Sequence, residues 1–395
     1  NPRGKTTMYG YDDADRQTSV TDANGGVTGT EYDGAGNVTG EVTAKGERTT
    51  HTYDLAGRRT STVGARGNAS GGLPADHTTT FTYDAVGNRL SVKDPAGYTT
   101  RMTYDGSNRV LTTTKPGGRT TVTEYDRAGN KVAETNPAGE TTRWEFDGMN
   151  RQVGVTTPSE RTTRFEYDGT GNRTKTTTPG GHVTTATFDA DNRQTTMVEA
   201  RGNEAGADPA DYTWTYTYDL AGNRLTETDP LGATTTQTYD AANNRLSQQD
   251  ANGNTTRWTY TPTNQIRSVT GPDAPTCATG VQCVDGKAST VYGFDDVDNL
   301  VSRTDPKGHE TTFAFDANKR RIRKQSPTGQ TWTYAYDADG NQVTEVTARG
   351  NAAPDPSVGT ITKTYDNRGL RTATTYGDGV TPSVALRYDN AGRLN

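Results

Sequence analysis

The stretch Arg164-Phe165-Glu166-Tyr167-Asp168-Gly169-Thr170-Gly171 carries the fold in eight residues. Phe165 and Tyr167 alternate with Arg164 and Glu166. Side chains on a strand alternate with period two, so both rings fall on one face and both charges on the other. Asp168 then opens a turn, because its carboxylate can bond back to the turn backbone. Gly171 closes it, because glycine accepts a positive φ at least cost. Arg143-Trp144-Glu145-Phe146-Asp147 repeats the pattern 21 residues earlier.

Working outward, aromatic residues followed by Asp mark a register along the whole chain. The pairs include Tyr11-Asp12, Tyr32-Asp33, Tyr53-Asp54, Tyr83-Asp84, Tyr104-Asp105 and Tyr125-Asp126. They continue through Tyr167-Asp168, Tyr218-Asp219, Tyr239-Asp240 and Tyr336-Asp337. With the Phe anchors, Tyr260, Tyr365 and Tyr388 there are 17, most of them 21 residues apart. Counting the aromatic as position 0, position 4 is Gly in nine units, among them Gly36, Gly57 and Gly87, and Asn in five. A second turn follows half a unit later, with Gly usual at position 14 and Pro frequent at position 12, as in Asp94-Pro95-Ala96-Gly97. Two turns in 21 residues leave two strands of about six residues each and no room for a stable helix.

Short turns at both strand ends force antiparallel neighbours. The expected object is all-β: tandem hairpin repeats in one continuous antiparallel sheet. Some 34 strands at about 4.8 Å spacing would make a ribbon about 160 Å long. Open sheets of that width curl, split or flatten, and curling into a spiral shell is the expectation. The aromatic ladder at positions −2 and 0 forms one face. Apolar residues at position 7, such as Leu90, Val153 and Ile322, occupy the other strand. Arg143 with Glu145, and Arg164 with Glu166, share the wet face and contribute little, about 0–1 kcal/mol.

Composition bounds the function. Hydrophobic residues make up only 29% of 395, so a thick core is excluded and a wide thin sheet is favoured. A net charge of −6 counts against nucleic-acid binding. No stretch approaches the about 20 apolar residues of a membrane-spanning helix. The chain opens within a repeat at Asn1-Pro2-Arg3-Gly4 and stops within another, so it reads as an excerpt of a longer protein, one array over 1–395.

Insertions fall near 65–80, 200–214, 272–288 and 348–359. Three of them begin with Ala-Arg-Gly-Asn, at Ala65, Ala200 and Ala348, six repeats apart. The bland reading is duplication of a six-repeat block; the sharper one puts all three loops on one side of the spiral, performing one task. The remaining insertion holds Cys277 and Cys283. A local disulfide in an exported protein is the leading expectation, two free thiols the alternative. Zinc would need two more ligands, and none are near.

No catalytic set emerges. The recurring Asp residues read as turn caps, since a catalytic role would not recur every 21 residues. His51, His77, His182 and His309 are scattered. Asp337-Ala338-Asp339-Gly340-Asn341 and Asp295-Asp296-Val297-Asp298 are oxygen-rich but lack EF-hand spacing. Neither cofactor, metal site nor enzyme activity is expected. The rival is sugar binding, with Trp144, Trp214, Trp258 and Trp332 as stacking platforms; the bland reading of the aromatics is cross-strand packing.

Tyr53-Asp54-Leu55-Ala56-Gly57-Arg58 and Tyr388-Asp389-Asn390-Ala391-Gly392-Arg393-Leu394 resemble the YD, or RHS, repeats. The resemblance covers the chain. It implies wall-associated and Rhs-type bacterial proteins, toxin-complex subunits or teneurin-like adhesion proteins, whose repeats form a spiral β-shell. It further implies a secreted or cell-surface scaffold that encloses or presents a C-terminal toxin of the same protein. The alternative is a carbohydrate- or cell-wall-binding module.

Overall fold

The computed structural model describes residues 4–277, 283–284 and 286–395. It contains one 33-stranded antiparallel sheet and a separate two-stranded ribbon, Cys283–Val284 with Lys287–Ala288. A representative unit is the hairpin of Thr141–Phe146 with Gln152–Thr156. The next strand, Thr162–Tyr167, pairs back on Gln152–Thr156, and the meander continues in this way.

The YD turn takes the same form wherever it occurs. In the third repeat the Gly57 amide donates to the Asp54 carbonyl, and the Asp54 amide donates to that of Arg58. Position 4 has positive φ at all 17 anchors, from Asp15 at 57° to Gly87 at 100°. Lys319, with φ of 61°, obeys despite its side chain.

The YD hairpins of repeats 1 to 16 also carry a β-bulge. Phe146 pairs with Gln152, yet Glu145 pairs with Gly154, so Val153 at position 7 has no partner of its own. Position 7 is therefore a bulge residue, not a regular member of the second strand. Leu90, Leu246 and Ile322 there are each 37–38% exposed. A bulge adds local twist and bends its strand, which supplies curvature once per repeat.

The ribbon curls until it meets itself. The second turn of repeat 1 touches the YD turn of repeat 13, through Asn24 donating to Asp295 at 3.0 Å. The second turn of repeat 2 meets the YD turn of repeat 14, where Asn318 donates to Glu47. The series continues with Arg66 on Asp339, Asn367 on the Pro95 carbonyl, and Arg119 on Asp389. Each contact joins repeat n to repeat n+12, so one coil holds twelve repeats, or 24 strands. At about 4.8 Å per strand the coil measures about 115 Å around and about 37 Å across. The sheet is a spiral whose YD rim sits on the second-turn rim of the coil before it.

Two expectations are corrected. Among the described residues the insertions contain short helical turns, Ala65–Asn68 and Ala348–Ala352 as α and Ala200–Asn203 as 3₁₀, where none were expected. The three loops also do not share a side. Six repeats are half a coil, so the loops of repeats 3 and 15 lie one above the other and that of repeat 9 faces away. The insertion near 272–288 lies partly outside the described residues.

Candidate functional site

Almost no apolar side chain is fully buried; among the described residues the buried hydrophobics are Ala65, Ala133 and Ala288. Order comes instead from polar staples between successive repeats. Asp54 Oδ1 accepts the amides of Ala56 and Arg58, and its Oδ2 accepts Arg58 Nε. Arg58 then reaches forward: Nη1 donates to the Asp84 carbonyl, and the guanidinium lies 5.2 Å from the Tyr83 ring centroid. Arg16, Arg109, Arg151, Arg193 and Arg320 make the same forward contacts. The tyrosine hydroxyl reaches back in turn. Tyr53 donates to the Val38 carbonyl at 2.7 Å, Tyr83 to Arg59 and Tyr104 to Arg89; Tyr32, Tyr167, Tyr218, Tyr239 and Tyr336 do likewise.

Where position 5 is Asn, the staple changes form. Asn88 Nδ2 donates to its own Asp84 and to Asn108 Oδ1 of the next repeat. The pairs Asn130–Asn150, Asn172–Asn192, Asn223–Asn243 and Asn244–Asn264 repeat it. This accounts for the asparagines at position 4, although Asn37 and Asn341 are followed by Gly57 and Gly369. All five Asn residues there receive a bond from an Asn at position 5 of the preceding repeat. A preceding Arg at positions 16, 58, 109, 151, 193 and 320 is followed by Gly instead. The signal was present in the sequence as a correlation between neighbouring units.

Turn hydrogen bonds lower many of the anchor aspartates below the ordinary carboxylate range. Asp168 is held down to about 2, first by the hydrogen bond from the Asn172 side chain. The amide of the arginine at position 5 does the same first for Asp54, Asp105, Asp147 and Asp189. Asp33, Asp84, Asp126, Asp219 and Asp240 are lowered first by their asparagine side chains, and Asp12 by Arg16. A depressed carboxylate is poor at delivering protons. No cluster of three or more His, Cys, Asp or Glu able to hold a metal occurs among the described residues. Asp339, at the centre of one oxygen-rich run, is taken by Arg66.

The tryptophans lie half-buried on the face that carries the ladder. Lys131 Nζ sits 4.5 Å from the Trp144 ring centroid, Arg245 4.3 Å from Trp258 and Lys324 4.9 Å from Trp332. Trp214 donates Nε1 to Glu199 at 2.7 Å. On the opposite face the ion pairs run across strands rather than along them: Arg164 meets Glu145 at 3.0 Å and Glu166 meets Lys175 at 2.8 Å. Cys277 and Cys283 are disulfide-bonded, with Cα atoms 6.0 Å apart. A groove of about 740 Å³ opens along the seam, between Val42 and Glu47 below and Asn318, Arg320 and Asp339 above.

The RHS Repeat family profile matches residues 1–27, 32–69, 83–120, 125–162, 150–183, 205–234, 222–255, 239–276 and 315–352. The chain belongs to the RHS-repeat family. Solved structures share the fold of this RHS array at low identity. The crystal structure of TcdB2-TccC3-TEV superposes with a TM-score of 0.74 at 15% identity, over 98% of this chain and 23% of that one. TcdB2-TccC3 without its hypervariable C-terminal region gives 0.67 at 17%, over 100% and 24%. The Photorhabdus luminescens Tc holotoxin pore gives 0.52 at 16%, over 98% and 25%. The RHS array thus spans about a quarter of the chains it matches. No curated protein matches it significantly.

Proposed function

We propose that this RHS array is a stretch of wall in a β-shell that encloses or presents a C-terminal effector segment of the same secreted bacterial protein. The observation that carries the reading is the seam. A sheet whose rim seats on its own previous coil makes a continuous wall, and twelve repeats per coil enclose a space about 37 Å across the backbone. The anchor aspartates, taken up by hydrogen bonds within their turns, support a scaffold rather than an enzyme. The fold shared with the TcdB2-TccC3 structures points the same way. No helix among the described residues is long and apolar enough to cross a membrane. A glycan surface is not favoured, because the rings of Trp144, Trp258 and Trp332 already have a cation over one face.

The test is protease protection in the native protein. The segment outside the repeats should resist digestion while the shell is intact and become labile when the seam is opened by Arg320→Ala. Cleavage of that segment at the same rate with the seam intact and opened would refute enclosure.

A further inference from the structure

Two breaks in the repeat pattern meet at the seam groove, one on each coil. The upper break is Lys319. It stands at position 4 of repeat 14, where the other 16 anchors carry Gly, Asn or Asp, and it holds a φ of 61° there. A lysine in the left-handed region is strained, because its Cβ crowds the following carbonyl oxygen. Local strain of this kind collects at functional positions. The turn gains nothing in return: Lys319 is exposed on the groove, and its ammonium has no hydrogen bond or ion pair with a described residue.

The lower break is a gap in the aromatic ladder. Position −2, which holds rings such as Phe165 and Phe313, is Thr30 in repeat 2. Thr30 pairs across its hairpin with Glu41, Glu41 pairs on with Thr49, and all three line the groove. The hydroxyls of Thr30 and Thr49 also have no partner among the described residues. Glu41 differs from the other glutamates at its repeat position. Glu134, Glu227 and Glu345 each meet a cation: Lys131 at 3.0 Å, Arg224 at 2.8 Å and Lys363 at 3.9 Å. Glu41 meets His51 instead, Oε2 lying 3.1 Å from Nε2. The His51 side chain is 2% exposed and is held on its other nitrogen by Thr62 Oγ1 at 3.0 Å. It fixes one carboxylate oxygen of Glu41 and leaves the other, on a side chain 64% exposed, for the groove.

We propose that the groove binds a short peptide as its zwitterion, with the carboxylate on Lys319 and the ammonium on Glu41. A space of about 740 Å³ suits an organic ligand rather than a single ion. Hydroxyls lie between the two charges, and Val20, Val42, Ala317 and Ala338 offer apolar contact. An anion alone would leave Glu41 facing it and a cation alone would face Lys319, so the ligand that satisfies both carries both charges. Lys319 belongs to the upper coil and Glu41 to the lower. The bound peptide therefore bridges the seam beside Arg320 and Glu47 and favours the closed form by mass action.

The test is calorimetric titration of the 395-residue chain with trialanine and its end-blocked forms. Trialanine should bind, and acetylating its amine or amidating its carboxylate should each weaken binding by about tenfold or more. Lys319→Gly removes the charge and relieves the strained φ. It should leave the melting temperature unchanged or raised and weaken trialanine binding by about tenfold or more. In that variant amidation of the peptide should cost nothing further. Hydrogen exchange at 43–47 and 314–322 should slow when trialanine is bound. Absence of binding, equal binding of trialanine and its doubly blocked form, unchanged affinity in Lys319→Gly, or seam amides indifferent to the peptide would each overturn the proposal. A Lys319→Gly chain that melts earlier makes the lysine structural and overturns it as well.

Discussion

Replacing Arg320 and Arg151 by alanine separates the energy of the seam from that of the repeat. Both arginines bond the aspartate of their own turn at 2.8 Å, Asp316 and Asp147 respectively. Both donate to the next turn's carbonyl, Asp337 and Asp168, and both cover the next tyrosine ring, at 5.0 and 4.9 Å. Arg320 alone also crosses the seam, to Glu47 at 3.0 Å. Arg151 and Asp147 are 25% and 24% exposed, so Arg151→Ala should cost about 2 kcal/mol, from two hydrogen bonds and one ring contact. Arg320, Asp316 and Glu47 are 14%, 7% and 14% exposed. Removing Arg320 leaves Glu47 and Asp316 facing each other, with Lys45 3.8 Å from Asp316 as the remaining nearby cation. Breaking a pair that deep costs about 3–5 kcal/mol. The difference of about 2 kcal/mol is the seam, and it corresponds to roughly thirtyfold in a local opening constant. Because an array of repeats need not unfold in one step, hydrogen exchange should be read by segment. Arg320→Ala should deprotect both 43–47 and 314–322, which are far apart in sequence, whereas Arg151→Ala should affect only its own hairpins. Equal losses in the two variants, or no change at 43–47, would refute the seam.

Other expectations follow from the same contacts. Asn150→Gly removes the bond from Asn130 and should cost about 0.5–1.5 kcal/mol, with Asn130→Arg restoring part of it by rebuilding the arginine staple; chemical denaturation of the two variants checks this. Gly202→Ala should destabilise its loop by about 1–3 kcal/mol through overpacking, while Gly169→Ala, with nothing within 4 Å of a new Cβ, should be nearly neutral in thermal melts. Tyr53→Phe should cost about 1 kcal/mol through the orphaned Val38 carbonyl. Acid should weaken the array. The turn carboxylates held by hydrogen bonds, such as Asp54, Asp105 and Asp168, lie below their unfolded values, so their contribution is complete above about pH 4 and fades as pH falls toward the about 2 of Asp168. Circular dichroism across that window should show the loss, and a signal flat down to pH 2 would contradict it.

The hairpin unit was legible because few residues tolerate what its turns demand. Positive φ at position 4 selects Gly, Asn or Asp, and the alternation of Phe165 and Tyr167 with charges marks a strand with two unlike faces. The bulge was not legible, since Val153 or Leu90 in an extra position looks like any apolar strand residue. The seam was hidden more deeply. Glu47 and Arg320 are 273 residues apart, and the number of repeats per coil is set by accumulated bulge and twist rather than by the period. For that reason the placement of the three Ala-Arg-Gly-Asn loops on one side failed, although their shared sequence correctly marked them as copies of one structure. Gly67, Gly202 and Gly350 sit at the consensus turn position yet serve tight packing, a role that the consensus alone conceals.

The most direct test of the shell is cryo-electron microscopy of the native protein that contains this array. The expected map shows repeats 13 to 17 seated on repeats 1 to 5, with Arg320 against Glu47, and density from a segment outside the repeats within the coil. An open ribbon with separated rims, or a seated coil whose interior is empty while that segment lies outside, would contradict the account.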